Sequence, residues 1–497
     1  MTNRRRTDMI TNISRRCFLK STAAGAVSAG ALAALAERLA AMSAPPALGP
    51  KSKVRIGKLY LGREHPGWPT SKVDLNADMR RFEAQLAKLG AGLADVEFVE
   101  GGLIANDAQL AAAKAKFKGV SGILAIHLTM GIGGQLQSLF ELGIPIMLFA
   151  LPYSGHEWHT MAGWQRQGKL IEVFPSSRYE DVLTAIRPFR AIHRLKEARV
   201  LNVSNGPADA VYCQALNEKF GTEIISLLLP DLQKAYEAAD RGEAMADMRR
   251  WIKEAKKIVE PTREEILKSS VMYIAMRDLL AQHGAVAITM NCLGMGLMDR
   301  GMGYPCLGFV RFNNMGLGGV CEADLKSTMT HLIFSYLVGK PGFVTDPVFD
   351  ESNSTIIHAH CVAATQMLGP GTSASPYHIR SHLEDGRGAS LMVKLPIKQK
   401  VSMARLLGTD KMLFSTGDAV DSPFVERGCR TKLTVKVEHL EKFLENWSSG
   451  LHRVIFYGDH RRDIQRYCRF AQLRLIHEGT DEPQKVDGLD WDPHVHA

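Results

Sequence analysis

The strongest constraint on the fold is an alternation of strand-like and helix-like runs that begins near residue 53. Lys53–Leu61 alternates with period two and Asp78–Leu89 has helical spacing. Strand-like Val96–Glu100, Gly122–His127 and Ile144–Leu151 then enclose helical runs at Asp107–Lys116 and Gly134–Leu142. Each helix is the return path between two strands that must point the same way, so the stretch predicts a parallel sheet covered on both faces. A second unit of this kind starts at Ala198-Arg-Val-Leu-Asn-Val-Ser-Asn-Gly. It continues with strand-like Glu223–Leu228, a charged helical stretch from Asp231 to about His283 broken near Pro261, and a buried strand at Ala285–Met290.

Past residue 340 the texture changes. Ser390–Leu395, Val401–Leu407, Lys411–Ser415 and Lys432–Val437 read as short strands separated by Gly, Asp and Pro, as in an antiparallel barrel. A final helix (Arg461 to Ala471) and strand (Leu473–His477) follow. The expected fold is α/β: two open parallel-sheet domains over 51–197 and 198–340, then a C-terminal domain over 341–497 with an antiparallel β-barrel. A chain of 497 residues is long enough for two or three separate cores.

Residues 1–50 stand apart. Arg4, Arg5 and Arg6 begin a basic region, Ser14-Arg15-Arg16-Cys17-Phe18-Leu19-Lys20 follows, and Ser21 to Ala36 is an uncharged run of mostly small residues. The run is too short and too weakly apolar to span a bilayer. Paired arginines before such a run match a twin-arginine signal, which predicts export of the folded protein to the periplasm by that translocase. The segment holds seven Lys/Arg and two Asp/Glu, so +5 of the formal +9 belongs to it. The remaining +4 gives no electrostatic footprint for nucleic acid. Beyond Cys17, seven cysteines are scattered without a C-x-x-C pair, which argues against a disulfide framework.

Four places present acids or imidazoles at the ends of apolar runs. In Gly316-Leu-Gly-Gly-Val-Cys-Glu322-Ala-Asp324, a Gly-rich loop leads into a helix with Leu325, Met329, Leu332, Ile333 and Tyr336 on its core face. Both acids then sit at the helix N-terminus, where the dipole favours carboxylates; simple capping, above all by Asp324, is the structural alternative. In Gly342-Phe-Val-Thr-Asp346-Pro347, a short strand stops at an acid and the proline is expected to end it, with a turn aspartate as the alternative. In Ile356-Ile-His358-Ala-His360-Cys361, strand geometry puts both histidines on one side, as converging ligands or as a core pair. Fourth, in Gly450-Leu-His452-Arg-Val-Ile-Phe-Tyr-Gly-Asp459-His460, His452 opens a buried strand and Asp459-His460 closes it. Two carboxylates with one or two imidazoles suit an oxygen-rich Mn²⁺ site better than tetrahedral zinc, and Cys306, Cys321 and Cys361 form a weaker zinc candidate.

Together, Gly319-Val-Cys-Glu322-Ala-Asp324, Phe343-Val-Thr-Asp346, Ala359-His360-Cys361 and Leu451-His452-Arg-Val-Ile-Phe resemble the metal-site segments of the L-fucose and L-arabinose isomerases. Arg380-Ser-His382-Leu-Glu384-Asp-Gly-Arg-Gly and Gly428-Cys-Arg430-Thr-Lys-Leu-Thr-Val-Lys-Val are similar to that family's C-terminal domain. The resemblance is clearest from about 285 to 480. It implies that Glu322, Asp346 and His452 bind Mn²⁺ or another divalent cation, with His360 as a further ligand, and that Glu322 and Asp346 also carry acid/base roles. Leu451 stands where arabinose isomerases have the first of two adjacent histidines, and Asp346 or Thr345 stands where they have a Glu.

The implied chemistry is aldose–ketose isomerisation of a free sugar or derivative, in which a proton moves between neighbouring carbons through an enediolate stabilised by a divalent cation. The family also implies a homo-oligomer in which the loop Leu61-Gly-Arg63-Glu-His65-Pro-Gly-Trp68 reaches a neighbouring subunit's sugar; an ordinary βα loop is the alternative. In Gly155-His156-Glu157-Trp158-His159, the imidazoles His156 and His159 are candidates to line the same pocket, and their spacing is one short of the H-E-x-x-H zinc signature. Two rival functions fit the same cluster: an exported sugar-binding protein without turnover, and a metal-dependent epimerase or lyase acting on a sugar acid.

Overall fold

The structure, a computed structural model, describes residues 52–447 and 450–480, so the segment expected to be a twin-arginine signal lies outside the described residues. The alternation after residue 53 folds as a sheet of five parallel strands in the order β2-β1-β3-β4-β5. These are β1 (Val54–Leu61), β2 (Val96–Ile104), β3 (Ile123–His127), β4 (Ile146–Ala150) and β5 (Ile171–Pro175). Every residue of β3 and β4 is buried, as in central strands covered on both faces. One face packs around Phe82, Phe149 and Phe189, the other around Phe117, Leu136 and Trp164. The sequence reading missed β5, a short edge strand that carries Glu172 and ends in Pro175, both tolerable where one side has no partner.

The second sheet is also parallel: β6 (Arg199–Ser204), β7 (Glu223–Leu228), β9 (Ala287–Met290) and β10 (Gly318–Cys321), in the order β10-β9-β6-β7. Between β7 and β9 the chain forms helices Leu229–Ala238, Arg241–Glu254 and Arg263–His283, with a two-residue strand β8 (Lys257–Ile258) ahead of Pro261. The chain proceeds outward from β6 in one direction and from β9 in the other. The loops leaving the carboxyl ends part at such a reversal, and this end of an open parallel sheet is where ligands are usually held.

The rest of the chain closes a six-stranded antiparallel barrel, with β11 (Phe343–Asp350), β12 (Thr355–His360), β15 (Gln399–Leu407), β16 (Lys411–Asp421), β17 (Thr431–Lys436) and β18 (Arg453–Tyr457) in the cyclic order β15-β18-β11-β12-β17-β16. The last strand, β19 (Arg474–His477), adds parallel to β16. Two sequence expectations are corrected here. The Ser390–Leu395 run leaves the barrel: β14 (Ser390–Val393) pairs with β13 (Tyr377–Arg380), and β13 pairs with β8, joining the second stretch of chain to the third. And β11 runs on through Pro347. It pairs with β18 only over 343–345 and with β12 over 346–350, so the proline sits where the β18 side is already unpaired.

Helix Leu325–Val338 joins β10 to β11 and is buried on almost every side. Its Met329, Leu332, Ile333 and Phe334 share one core with Val320 of the second sheet and with Ala404, Leu406, Val454 and Phe456 of the barrel. Its buried hydroxyls are bonded: Thr328 Oγ1 donates to Asp324 O at 2.7 Å and Thr330 Oγ1 accepts from Leu406 N–H of the barrel at 2.8 Å. Helix Arg461–Ala471 also docks on the first sheet, where Phe470 stacks on Phe189 with ring centroids 5.5 Å apart. Among the described residues no helix is long and apolar enough to cross a membrane.

Candidate metal centre

The centre lies where the carboxyl end of the second sheet meets one end of the barrel. Gly319 has no room for a side chain, since a Cβ would stand 2.5 Å from Phe309 Cα, so helix Cys306–Asn314 lies directly on β10. Immediately after β10 the backbone turns through two consecutive left-handed residues, Glu322 (φ 66°) and Ala323 (φ 55°). Neither is glycine, so the conformation costs on the order of 1–3 kcal/mol per residue and is held by its surroundings. The turn presents Glu322 at the strand end and brings Asp324 to the N-cap of helix Leu325–Val338, where its Oδ1 accepts from Ser327 N–H at 3.0 Å.

Among the described residues one group of side chains brings its donor atoms within 4.8 Å of one another and is suited to hold a metal ion: Glu322, His360 and His452. They come from the end of β10, the end of β12 and the residue before β18. His360 Nε2 is 3.3 Å from Glu322 Oε1, and His452 Nε2 is 3.3 Å from Glu322 Oε2. Asp346, in β11, joins them: its Oδ1 is 3.2 Å from His452 Nε2 and its Oδ2 is 4.0 Å from His360 Nε2. Cys306, Cys321 and Cys361 do not form a second such group.

His452 shows why a cation fits. Its Nδ1 lies 2.9 Å from Asp324 Oδ2, and donation of Nδ1–H to that carboxylate leaves Nε2 with a free lone pair. The lone pair faces two carboxylates, and Nε2, Asp346 Oδ1 and His360 Nε2 are all buried without a hydrogen-bond partner. Lone pairs gathered out of water repel one another unless a proton or cation lies among them. The acid–base behaviour follows from this crowding. Burial opposes the charge on Glu322, yet His360 and His452 hold its carboxyl well below the usual range. Burial likewise opposes the charge on His452, but Asp324, Asp346 and Glu322 raise it far above an ordinary histidine.

Behind His452 lies an ion network that sequence reasoning missed. Arg405, fully buried in β15, donates to Asp324 Oδ2 at 2.9 Å, to Ser327 Oγ at 3.1 Å and to His452 O at 3.4 Å. Asp324, read from the sequence as a capping candidate, therefore caps, pairs with Arg405 and orients His452. The available signal was Arg405 itself, a lone cation in Val401–Leu407 that needs a buried partner. The other imidazoles do not join the centre. His358 Nδ1 is 2.9 Å from Thr345 Oγ1, and burial lowers its pKa to about 3. His460 Nε2 is 2.9 Å from Tyr457 O.

The residues expected to touch substrate gather at the carboxyl edge of the first sheet. Arg63 lies over Gly131, where a Cβ would meet its Nε at 2.8 Å, and its backbone N–H donates to Thr129 Oγ1 at 2.7 Å. His65 Nδ1 is 3.2 Å from Ser71 O, the His156 ring meets Trp68 edge-on at 4.6 Å, and His159 is exposed on helix Trp158–Arg166. A cavity of about 970 Å³ opens at this edge, lined by Arg63, Lys72, Asp74, Asn106 and Gln135 among others. No hydrogen bond, ion pair or ring contact among the described residues links Arg63, His65, Trp68, His156 or His159 to Glu322, His360 or His452. Compared with family models and with curated proteins, the chain matches none.

Proposed function

We propose that the protein is a divalent-metal-dependent aldose–ketose isomerase acting on a free sugar or close derivative, with Mn²⁺ as its ion. The observation that carries this reading is the meeting of Glu322, Asp346, His360 and His452, four residues the isomerase resemblance selects, around one buried point. Two carboxylates and two imidazoles form a mixed O/N set that accepts Mn²⁺ and leaves positions for a ligand's oxygens. Such an ion supplies charge stabilisation for a developing oxyanion. Asp346, the other carboxylate of this set and partly exposed, would take a proton from a carbon next to a carbonyl. On the same resemblance, Arg63, His65, Trp68, His156 and His159 would reach a neighbouring subunit's sugar in a homo-oligomer. Export by the twin-arginine translocase to the periplasm is proposed on residues 14–36 alone.

The test is metal stoichiometry together with a screen of aldoses and ketoses. Protein dialysed against Mn²⁺ should hold one ion per chain. Glu322→Gln should lose metal and turnover together, whereas His452→Ala should lose occupancy that excess Mn²⁺ partly restores. Metal binding without turnover on any sugar would favour the binding-protein reading, and absence of metal would end the isomerase reading.

A further inference from the structure

Aldose–ketose isomerisation moves two protons, one between carbons and one between oxygens. Both Glu322 oxygens already face imidazoles, Oε1 toward His360 and Oε2 toward His452. Asp324 is committed to Arg405, Ser327 and His452. Asp346 can serve the carbon-bound proton, which leaves the oxygen-bound proton without a carrier. A further carboxyl, that of Glu384, is linked to the centre through His382, whose ring stands between Glu384 Oε2 at 3.1 Å and the thiol of Cys361, next to His360, at 3.3 Å.

Glu384 belongs to a tight loop after β13 that is fastened at several points. Ser381 N–H donates to Glu260 Oε2 at 3.1 Å, and Arg430 donates to Ser381 O at 2.8 Å. His382 N–H donates to Arg387 O at 2.8 Å, and Gly388 N–H donates to Glu265 Oε1 at 3.1 Å. Tyr304 Oη donates to Asp385, and its ring packs on His382 with centroids 4.8 Å apart. His382 ties the loop to the metal centre: its Nε2 is 3.3 Å from the thiol of Cys361, the residue after His360. Its Nδ1 is 3.1 Å from Glu384 Oε2, off the line of a hydrogen bond, so that buried nitrogen has no other partner. The Glu384 side chain itself is about half exposed (49%) and makes no other ion pair among the described residues, which leaves it open to a ligand.

We propose that Glu384 is the acid–base residue that carries the oxygen-bound proton in this reaction. The inference rests on the isomerase reading. Ionised Asp346 takes the C–H proton, the C–H pair becomes the new carbon–carbon double bond, and the carbonyl π pair moves to its oxygen, which takes the proton of Glu384. In the second half Asp346 returns its proton to the former carbonyl carbon, and the neighbouring hydroxyl gives its proton to Glu384 as the new carbonyl forms, so both carboxyls end as they began. Burial raises the pKa of Glu384, which favours the protonated form that donates first.

The experiment uses the aldose that the wild type converts fastest in a screen of free aldopentoses and aldohexoses. Glu384→Gln should bind Mn²⁺ with wild-type stoichiometry and convert that sugar at least 100-fold more slowly, the usual scale for losing a general acid. Glu384→Asp, which keeps the acid on a shorter arm, should retain more activity than the Gln variant. A Gln variant within a few-fold of wild type overturns the assignment, as does one that loses its metal, since Glu384 would then belong to the ligands. A wild type that binds Mn²⁺ yet converts no sugar overturns the isomerase reading itself, and this assignment with it.

Discussion

Replacing Asp324 by Asn separates the three jobs the structure gives this residue. Asn is as good an N-cap as Asp, so the start of helix Leu325–Val338 should be little affected. The change removes the negative charge between Arg405 and His452, both within 2.9 Å of Oδ2 and both buried. Loss of a carboxylate that orients a ligand histidine typically costs 10–100-fold in metal affinity, or about 1.4–2.8 kcal/mol. Leaving Arg405 buried without its partner costs about 3–5 kcal/mol of stability. We therefore expect Asp324→Asn to weaken Mn²⁺ binding in calorimetric titration and to lower the denaturant midpoint. Adding Arg405→Met, which removes the stranded cation, should recover much of the stability and none of the affinity. Unchanged Mn²⁺ affinity in a destabilised Asp324→Asn protein would refute the orienting role and leave only the structural one.

Three further outcomes are expected. Burial lowers the pKa of His331 to about 4, while its Nδ1 accepts from Gly342 N–H at 3.2 Å. The folded state thus binds this proton less readily than the unfolded chain, so the associated stability is full above about pH 6.5 and lost as the pH falls toward 4, about 3 kcal/mol in all. His331→Gln should accordingly show a smaller drop in denaturant midpoint than wild type between pH 7 and 4.5. Phe470→Ala removes the ring stacked on Phe189 and should cost about 3–5 kcal/mol in a denaturant melt, with Mn²⁺ binding unchanged because the ring belongs to the core of the first sheet. Lys at both Arg15 and Arg16 should leave the protein in the cytoplasmic fraction with its melting temperature unaltered.

Four of the five strands of the first sheet were legible because period-two and period-3.6 runs alternate there with short loops, and β7 of the second sheet spans the residues its strand-like run marked. The residues of the candidate metal centre were legible one by one, as acids and imidazoles at the ends of apolar runs, and the resemblance put them in a set. Local pattern misled where pairing decides the outcome. Pro347 looks like a stop until β18 is seen to pair with β11 only over 343–345, and Ser390–Val393 looks like a barrel strand until its partners prove to be β13 and, through it, β8. Likewise His358 and His360 are indistinguishable in the strand pattern. In the fold one bonds to Thr345 inside the barrel and the other meets Glu322. Hydrophobic periodicity thus determined which segments become helices and strands, since it depends only on neighbours along the chain. The second role of Asp324, the burial of Arg405, the separation of His358 from His360 and the approach of the Glu384 loop were decided by tertiary structure, because each is a contact between segments distant in sequence whose charges act on one another only once folding removes the water between them.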